Sequence, residues 1–190
     1  MRKLIAALKR LPPLSMLWRE PSFRIGRPFL IDNADCIEVG KRVQIREYAW
    51  LSAITAYAGQ DYVPKIVFGE GVYAGRFLCL TCISRVEIGA NSVLSEHVYI
   101  ADSGHGIDPT DGRIMDQRLQ TKGPVRIGRS CFVGYGARIL SGVELGDHCV
   151  VGANSVVTRS FPAYTMVAGS PARRIKFYDI TTEQWINVDE

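Results

Sequence analysis

The sequence predicts an all-β fold, a parallel β-helix of six-residue repeats, and three observations indicate it. An aliphatic residue opens every unit of six: Ile127, Val133, Ile139, Leu145, Val151 and Val157. The residue after it is often Gly, and the fifth position of a unit holds Cys, Ala, Val or Ser. A fixed period of this kind fits neither a helix nor a simple strand alternation, and it indicates a repeat architecture.

The six-residue unit is expected to form one short strand and one turn. Its first and fifth side chains point inward, and Gly at the second position suits a tight turn. Three units close a coil of roughly eighteen residues, and stacked coils bury a continuous apolar column. A large side chain at the fifth position would overpack that column, at a cost of about 1–3 kcal/mol.

Length and composition are those of one ordinary globular domain. The chain has 190 residues, is 47% hydrophobic and carries a net charge of +4. That charge is too small to indicate a nucleic-acid partner, but it is compatible with a phosphate-bearing ligand. No apolar run reaches the roughly 18 residues that a membrane span needs.

The five cysteines are not arranged as a metal site or a disulfide framework. Cys131 and Cys149 occupy the fifth position of a repeat and are expected to be packing residues. Cys79 and Cys82 form a lone C-x-x-C with no second pair, which does not favour zinc. The odd count and the absence of a signal-peptide pattern favour a reducing compartment.

Residues 1–22 are predicted to form an N-terminal helical cap. Leu4, Ile5, Leu8 and Leu11 lie on one side of a helix that Pro12 and Pro13 would end, among basic residues. One interpretation is a helix that closes the open end of the column. The other is peripheral contact with an anionic membrane surface.

Residues 23–176 are predicted to form the β-helix, with loops at 56–64 and 103–123 where the repeat breaks down. Successive coils open with similar tetrads at 37–40, 86–89, 125–128 and 143–146, which indicates about five to six coils. Long loops in compact domains are uncommon and usually functional. Thr181 and Gln184 are spaced as a capping box, so residues 177–190 are predicted to be a helical tail.

The repeats, the looped-out Gly104-His105-Gly106 and the ending 167–173 (Val-Ala-Gly-Ser-Pro-Ala-Arg) resemble the hexapeptide-repeat acyltransferases. The similarity is greatest to the sugar O-acetyltransferases of the maltose and galactoside acetyltransferase group, including those that decorate bacterial polysaccharides. It implies a left-handed β-helix, a homotrimer with active sites between neighbouring columns, acetyl-CoA as donor and a sugar or glycan acceptor. It also implies a cytoplasmic enzyme, working in the cytosol or at the inner face of the membrane, that requires no metal.

His105 stands at the family's catalytic position and is the predicted general base. A sugar hydroxyl is too weak an acid to attack a thioester unaided, and a neutral imidazole can accept its proton in the transition state. The thioester oxygen becomes an oxyanion during the attack and needs a hydrogen-bond donor, expected to be a backbone N–H of the groove. Asp102 is predicted to orient the ring, and Glu96 is a weaker candidate for that role. His97 and His148 are interpreted as surface residues.

The resemblance also implies a cofactor path. The pantetheine arm would pass Phe132, Gly134, Tyr135, Gly152 and Ala153, and the adenosine end would meet Thr158, Arg159, Pro171 and Ala172. Arg173, Arg174 and Lys176 would bind the CoA phosphates.

The acceptor site departs from the simple galactoside enzymes. Those carry an acceptor-binding Asn in the segment that corresponds to residues 72–80, where this chain has none. Tyr73, Arg76, Tyr57 and Tyr62 are the predicted acceptor-binding residues instead, because aromatic rings stack on sugar faces.

Three alternatives remain open. One is an N-acetyltransferase acting on an amino sugar. Another is a γ-class carbonic anhydrase, which has the same fold but needs three metal-binding histidines from adjacent columns. The third is a binding trimer without catalysis, which the repeats alone would support.

Overall fold

The three-sided coil is the main feature of the computed structural model, which describes residues 19–188. The chain passes in turn through a first, a second and a third sheet. It then returns to the first sheet, where it adds the next strand of that sheet. We call these sheets the first, second and third faces. The first face consists of β1 (Arg24–Ile25), β4 (Gln44–Ile45), β9 (Tyr73–Ala74), β12 (Val93–Leu94), β15 (Phe132–Val133), β18 (Val150–Val151) and β20 (Thr165–Gly169). The coils are numbered one to six by the strands of this face that open them, β1, β4, β9, β12, β15 and β18.

The other two faces are also parallel sheets. The second consists of β2 (Leu30–Asp32), β5 (Trp50–Ala53), β10 (Cys79–Cys82), β13 (Tyr99–Ala101), β16 (Arg138–Ile139) and β19 (Val156–Val157). The third consists of β3 (Ile37–Val39), β8 (Lys65–Phe68), β11 (Arg85–Ile88), β14 (Val125–Ile127) and β17 (Glu144–Leu145). The all-β, parallel architecture predicted from the repeats is confirmed.

The core is the apolar column that the repeat predicts. The residues that open each unit stack in register, Ile127 on Leu145, Val133 on Val151 and Ile139 on Val157, and all of them are buried. Cys131 and Cys149 are buried free thiols, which confirms that they are packing residues. Stability therefore comes from the contact of each coil with its neighbours.

The corners are tight because coils stack directly on one another. We call the corner between the first and second faces the first corner, that between the second and third faces the second corner, and the remaining one the third corner. At the first corner, a Cβ added to Gly75 would fall 2.7 Å from the backbone nitrogen of Glu96 in the next coil. Only glycine fits such a close approach.

Both interruptions of the repeat leave the coil at the second corner. The hairpin of β6 (Ala56–Tyr57) and β7 (Gln60–Asp61) leaves from coil two. The longer loop leaves from coil four, between β13 and β14, and contains a single 3-10 turn at Ile114–Asp116. A second 3-10 turn, Ala34–Cys36, belongs to coil one. The two excursions project from the same edge of the molecule.

The predicted C-terminal helix is wrong, because residues 172–187 form an antiparallel hairpin. Strand β21 (Ala172–Asp179) pairs with the edge strand β20, and β22 (Gln184–Asn187) pairs with β21. Asp179 Oδ1 accepts the Thr181 backbone N–H at 2.8 Å, and Glu183 has a φ of 54°. The supposed capping box is therefore a hairpin turn. The open edge of the first face offers β21 a row of backbone partners, which a local helix cannot match.

Residues 1–18, and with them most of the predicted N-terminal cap and its membrane contact, lie outside the described residues. Between residues 19 and 188, no helix has the length and apolar character needed to cross a bilayer.

Candidate active site

His105 is held at the rim of the longer loop by a short antiparallel ribbon. Gly104 exchanges both backbone hydrogen bonds with Gln120, at 2.9 and 2.8 Å. Gly106 donates to the Arg118 carbonyl at 3.1 Å. The imidazole is exposed between these two anchored glycines. The backbone that carries the ring is therefore fixed on both sides.

A cavity of about 370 Å³ lies beside the ring. His105, Ile107 and Lys122 line it from the loop, and Leu140 and Thr158 line it from coils five and six. Thr158, a predicted cofactor residue, therefore shares the cavity with the predicted base. Neither Tyr57 nor Tyr62 lines it.

The hairpin from coil two contacts His105 from outside that cavity. Tyr57 Oη lies 3.4 Å from His105 Nδ1, and the two rings meet edge to face with centroids 5.5 Å apart. Tyr57 Oη also donates to the Met115 carbonyl at 2.8 Å. Tyr62 Oη accepts the Leu119 backbone N–H at 3.0 Å. The two predicted acceptor tyrosines thus join the hairpin to the loop that carries His105.

Asp102 does not orient the imidazole, and this part of the prediction is corrected. Its fully buried carboxylate is directed at a turn of coil three, where Oδ1 accepts the Ile83 N–H at 2.9 Å. Oδ2 accepts the N–H groups of Ser84 and Arg85, both at 2.8 Å. These backbone donors hold the start of the loop to the coil below, so Asp102 has a structural role. Glu96 lies at the first corner, away from His105.

Two polar residues that sequence reasoning missed shape the loop. Ser141 Oγ donates to the Asp102 carbonyl and accepts the Lys122 N–H, both at 2.7 Å, so one hydroxyl joins both ends of the loop. Buried Gln117 accepts the Asp108 N–H at 3.0 Å and donates to the Asp108 carbonyl at 2.7 Å. Neither Ser141 nor Gln117 belongs to a sequence motif, so the sequence carries no signal for these two roles.

The predicted pantetheine residues lie on the first face and at the first corner. Phe132 and Tyr135 are 45% and 49% exposed and flank Gly134. A Cβ at Gly134 would fall 2.7 Å from the Ala153 nitrogen, so Gly152-Ala153 lies directly above in coil six. The corner therefore presents backbone with small side chains next to two exposed aromatic rings.

The basic cluster continues the same corner. Arg173 pairs with Ala168 across β20 and β21, next to the Gly152 corner. Arg174 and Lys176 follow on β21 opposite Val167 and Met166. Pro171 and Ala172 precede them, Pro171 exposed and Ala172 buried. Arg159 instead follows Thr158, with its guanidinium 5.3 Å from the Phe161 ring.

The other two predicted acceptor residues also belong to this side. Tyr73 is half-buried on the first face, in the outward row with Val93 and Phe132. Arg76 Nε pairs with Glu47 Oε2 at 3.1 Å at the first corner. A hydrogen bond from its own backbone N–H, followed by those from Arg46 and Arg76, lowers the pKa of the Glu47 carboxyl to about 2.

The predicted site is therefore divided between two corners of one chain. His105, Thr158, Tyr57 and Tyr62 gather at the second corner, whereas the pantetheine residues and the arginines of β21 lie at the first. The second face separates them, and its four-residue strand β10 spans roughly 13 Å.

The three histidines lie at three different corners. His97 stacks on Phe77 at the first corner with ring centroids 4.5 Å apart. His148 stacks on Tyr164 at the third corner at 5.0 Å. Both are exposed, as predicted for surface residues.

A larger cavity of about 800 Å³ follows the third face, where none of the predicted site residues lies. Its floor carries the charged row of Glu87, Arg126 and Glu144, which are joined by ion pairs. Exposed pairs of this kind contribute little to stability.

The fold and the site together define a hexapeptide-repeat parallel β-helix with one histidine loop. The family model described as hexapeptide repeat of succinyl-transferase matches residues 124–159. The probable acetyltransferase Rv3034c of Mycobacterium tuberculosis is 29% identical over 180 residues, covering 87% of this chain and 58% of its own length. The putative lipopolysaccharide biosynthesis O-acetyl transferase WbbJ of Escherichia coli is 34% identical over 126 residues, covering 63% of this chain and 64% of its own length.

Among solved structures, AntD, an N-acyltransferase from Bacillus cereus in complex with dTDP and 3-hydroxybutyryl-CoA, has the same fold. The TM-score is 0.72 at 21% identity, covering 93% of this chain and 89% of AntD. The chain carries the hexapeptide repeats of that family model and is similar to these acyltransferases. It spans about three-fifths of the length of the two relatives named above.

Proposed function

We propose that this protein is an acetyl-CoA-dependent O-acetyltransferase that modifies a sugar hydroxyl during surface polysaccharide biosynthesis. The observation that carries the proposal is His105, anchored by backbone on both sides and exposed at a cavity that it shares with Thr158. The likeness to WbbJ supports the sugar acceptor and the polysaccharide pathway.

The proposed reaction needs one base and one donor for the oxyanion. His105 Nε2 accepts the hydroxyl proton while the sugar oxygen attacks the thioester carbonyl. The tetrahedral intermediate collapses with loss of the CoA thiolate, and the imidazolium gives the proton it took from the sugar hydroxyl to that sulfur. A backbone N–H of the groove stabilises the oxyanion. Catalysis of this type contributes about 10²–10⁴-fold from the base alone.

The proposal assigns acetyl-CoA to the first corner. The exposed rings of Phe132 and Tyr135 flank a backbone edge that a thin pantetheine arm can approach, and the nearby Arg173 and Arg174 present cations for phosphate. Arginine binds phosphate through two parallel hydrogen bonds. The acyl-CoA in the AntD complex supports a donor of this class.

The proposal includes a left-handed coil and a homotrimer, the trimer because the two halves of the site lie at different corners of one chain. The first and second faces carry outward rings such as Phe132 and Trp50, whereas the third face carries the charged row. A contact between the first corner of one copy and the second corner of the next is head-to-tail, and three such contacts can close into a ring. It would bring the first corner of one copy to His105 of its neighbour.

The experiment is acetyl-CoA turnover against nucleotide sugars, oligosaccharides, lipid-linked sugars and amino sugars, with His105→Gln and the matched variant His148→Gln. His105→Gln is expected to lower kcat by about 10²–10⁴-fold and to leave the Kd for CoA unchanged. His148→Gln is expected to behave as the parent. Undiminished turnover in His105→Gln would defeat the assignment, and transfer to amino sugars alone would redirect it to N-acetylation.

A further inference from the structure

Tyr57 reaches His105 from a part of the chain that the repeat does not connect to it. The tyrosine belongs to the hairpin of coil two and the histidine to the loop of coil four. Their contact is between Tyr57 Oη and His105 Nδ1, at 3.4 Å. We propose that Tyr57 is a positioning residue that fixes the tautomer of the His105 imidazole, an inference that rests on the function proposed above.

The direction of the hydrogen bond follows from the other partner of the phenol. Tyr57 Oη has one hydrogen, and the Met115 carbonyl, 2.8 Å away, can only accept it. With that hydrogen committed, Oη faces the imidazole with lone pairs. His105 Nδ1 must then carry its own hydrogen and donate it to Oη.

This assignment leaves the other ring nitrogen free. A neutral imidazole has one N–H, so a hydrogen on Nδ1 leaves Nε2 as an unprotonated acceptor. Nε2 is the atom that the proposed reaction uses to take the proton from the acceptor hydroxyl. The phenol therefore has the role that Asp102 was predicted to have, while Asp102 is engaged with the backbone of residues 83–85.

The position of Tyr57 argues against its predicted role in acceptor binding. The cavity beside His105 is lined by the loop and by coils four to six, whereas Tyr57 comes from coil two and does not line it. The edge of one ring meets the face of the other with an interplanar angle of 66°. Tyr57 thus supports the ring from outside the cavity that substrate would enter.

Tyr62 provides a matched control. It stands on the far side of the same hairpin, and its hydroxyl bonds to both backbone groups of Leu119, at 3.0 and 3.4 Å. Tyr62→Phe removes a hydroxyl that joins the same two segments but does not contact the imidazole. Tyr57→Phe removes only the hydroxyl at His105 Nδ1 and keeps the ring that packs against it.

The test is the tautomer of His105, read by nitrogen NMR of full-length protein labelled with ¹⁵N at its three histidines. His105→Gln assigns the signals. In the parent and in Tyr62→Phe we expect the hydrogen on Nδ1. In Tyr57→Phe we expect a shift toward the Nε2–H form, which a free side chain favours in water. We also expect kcat about 10-fold lower than in Tyr62→Phe, the size of one lost hydrogen bond, with an unchanged KM.

The spectra need no turnover, so the two proposals fail separately. An unchanged tautomer in Tyr57→Phe, with kcat equal to that of Tyr62→Phe, would overturn the role of Tyr57 and leave the base assignment intact. Full activity in His105→Gln would instead defeat the proposed function.

Discussion

The backbone of Gly106 lies against the side chain of Gln117. A Cβ added at Gly106 would fall 2.7 Å from both the Cβ and the Oε1 of Gln117. Gln117 is buried and holds Asp108 through two hydrogen bonds, so it cannot move aside without opening the loop. The residue after the proposed base is thereby pressed against the loop's interior.

Gly106→Ala is expected to displace His105 and lower kcat by about 10²-fold, because small misplacements of a reacting group cost rates of that order. The matched control is Gly104→Ala on the other side of His105, where an added Cβ meets nothing within 4 Å. Steady-state kinetics of both variants checks the prediction. Equal rates for the two would show that the contact with Gln117 does not position the ring.

Asp102→Ala is expected to destabilise the protein without removing catalysis. The substitution leaves the N–H groups of Ile83, Ser84 and Arg85 without their acceptor. A buried unsatisfied donor costs about 1–3 kcal/mol, so we expect a loss of at least about 2 kcal/mol in the free energy of unfolding. Urea denaturation gives the stability, and kcat is compared well below the melting temperature. A collapse of kcat with little change in stability would restore the orienting role.

The repeat predicts the coil well because each six-residue unit determines its own strand and turn. Ile139 and Val157 are buried because each six-residue unit directs its first side chain inward, whatever the distant chain does. The same reasoning placed His105 on a loop. It could not find the contact of Tyr57 with His105, because the two residues are 48 positions apart and lie on two excursions whose folding follows no repeat.

The two wrong predictions have a common physical cause. Asp102 is close to His105 in the sequence, but its carboxylate accepts the backbone N–H groups of residues 83–85, one coil away, and such charge-assisted hydrogen bonds are strong. The spacing of Thr181 and Gln184 predicts a local helix start, but the open edge of β20 offers longer-range pairing. In each case a contact between coils overrode a local signal.

Cys82 is expected to be inert to alkylation near neutral pH. Burial, and next the charge of Asp102 at 3.4 Å from the sulfur, raise the pKa of the Cys82 thiol to about 12. The thiolate is the reactive form, so its fraction at pH 8 is about 10⁻⁴ and rises about tenfold per pH unit up to that pKa. Mass spectrometry after iodoacetamide treatment checks this, with protein in guanidinium as the control in which all five cysteines react. Labelling of folded Cys82 at the rate of a free thiol would contradict it.

Mixing two inactive variants tests whether the site is shared between copies. His105→Ala keeps the first corner and lacks the base, whereas Ala153→Trp keeps the base and fills the exposed corner above Gly134. If each site takes His105 from one copy and the first corner from the next, a quarter of the sites in a random equal mixture combine two intact halves. We therefore expect activity to return to about a quarter of the parent value after co-refolding, as head-to-tail symmetry requires.

The alternatives give different results in the same assay. A site built within one chain would stay inactive in every mixture, because each chain carries one defect. Activity of the Ala153→Trp variant by itself would show that acetyl-CoA does not bind at the first corner. Separately refolded variants combined afterwards are the control, since without exchange of subunits no site can pair an intact His105 with an intact first corner.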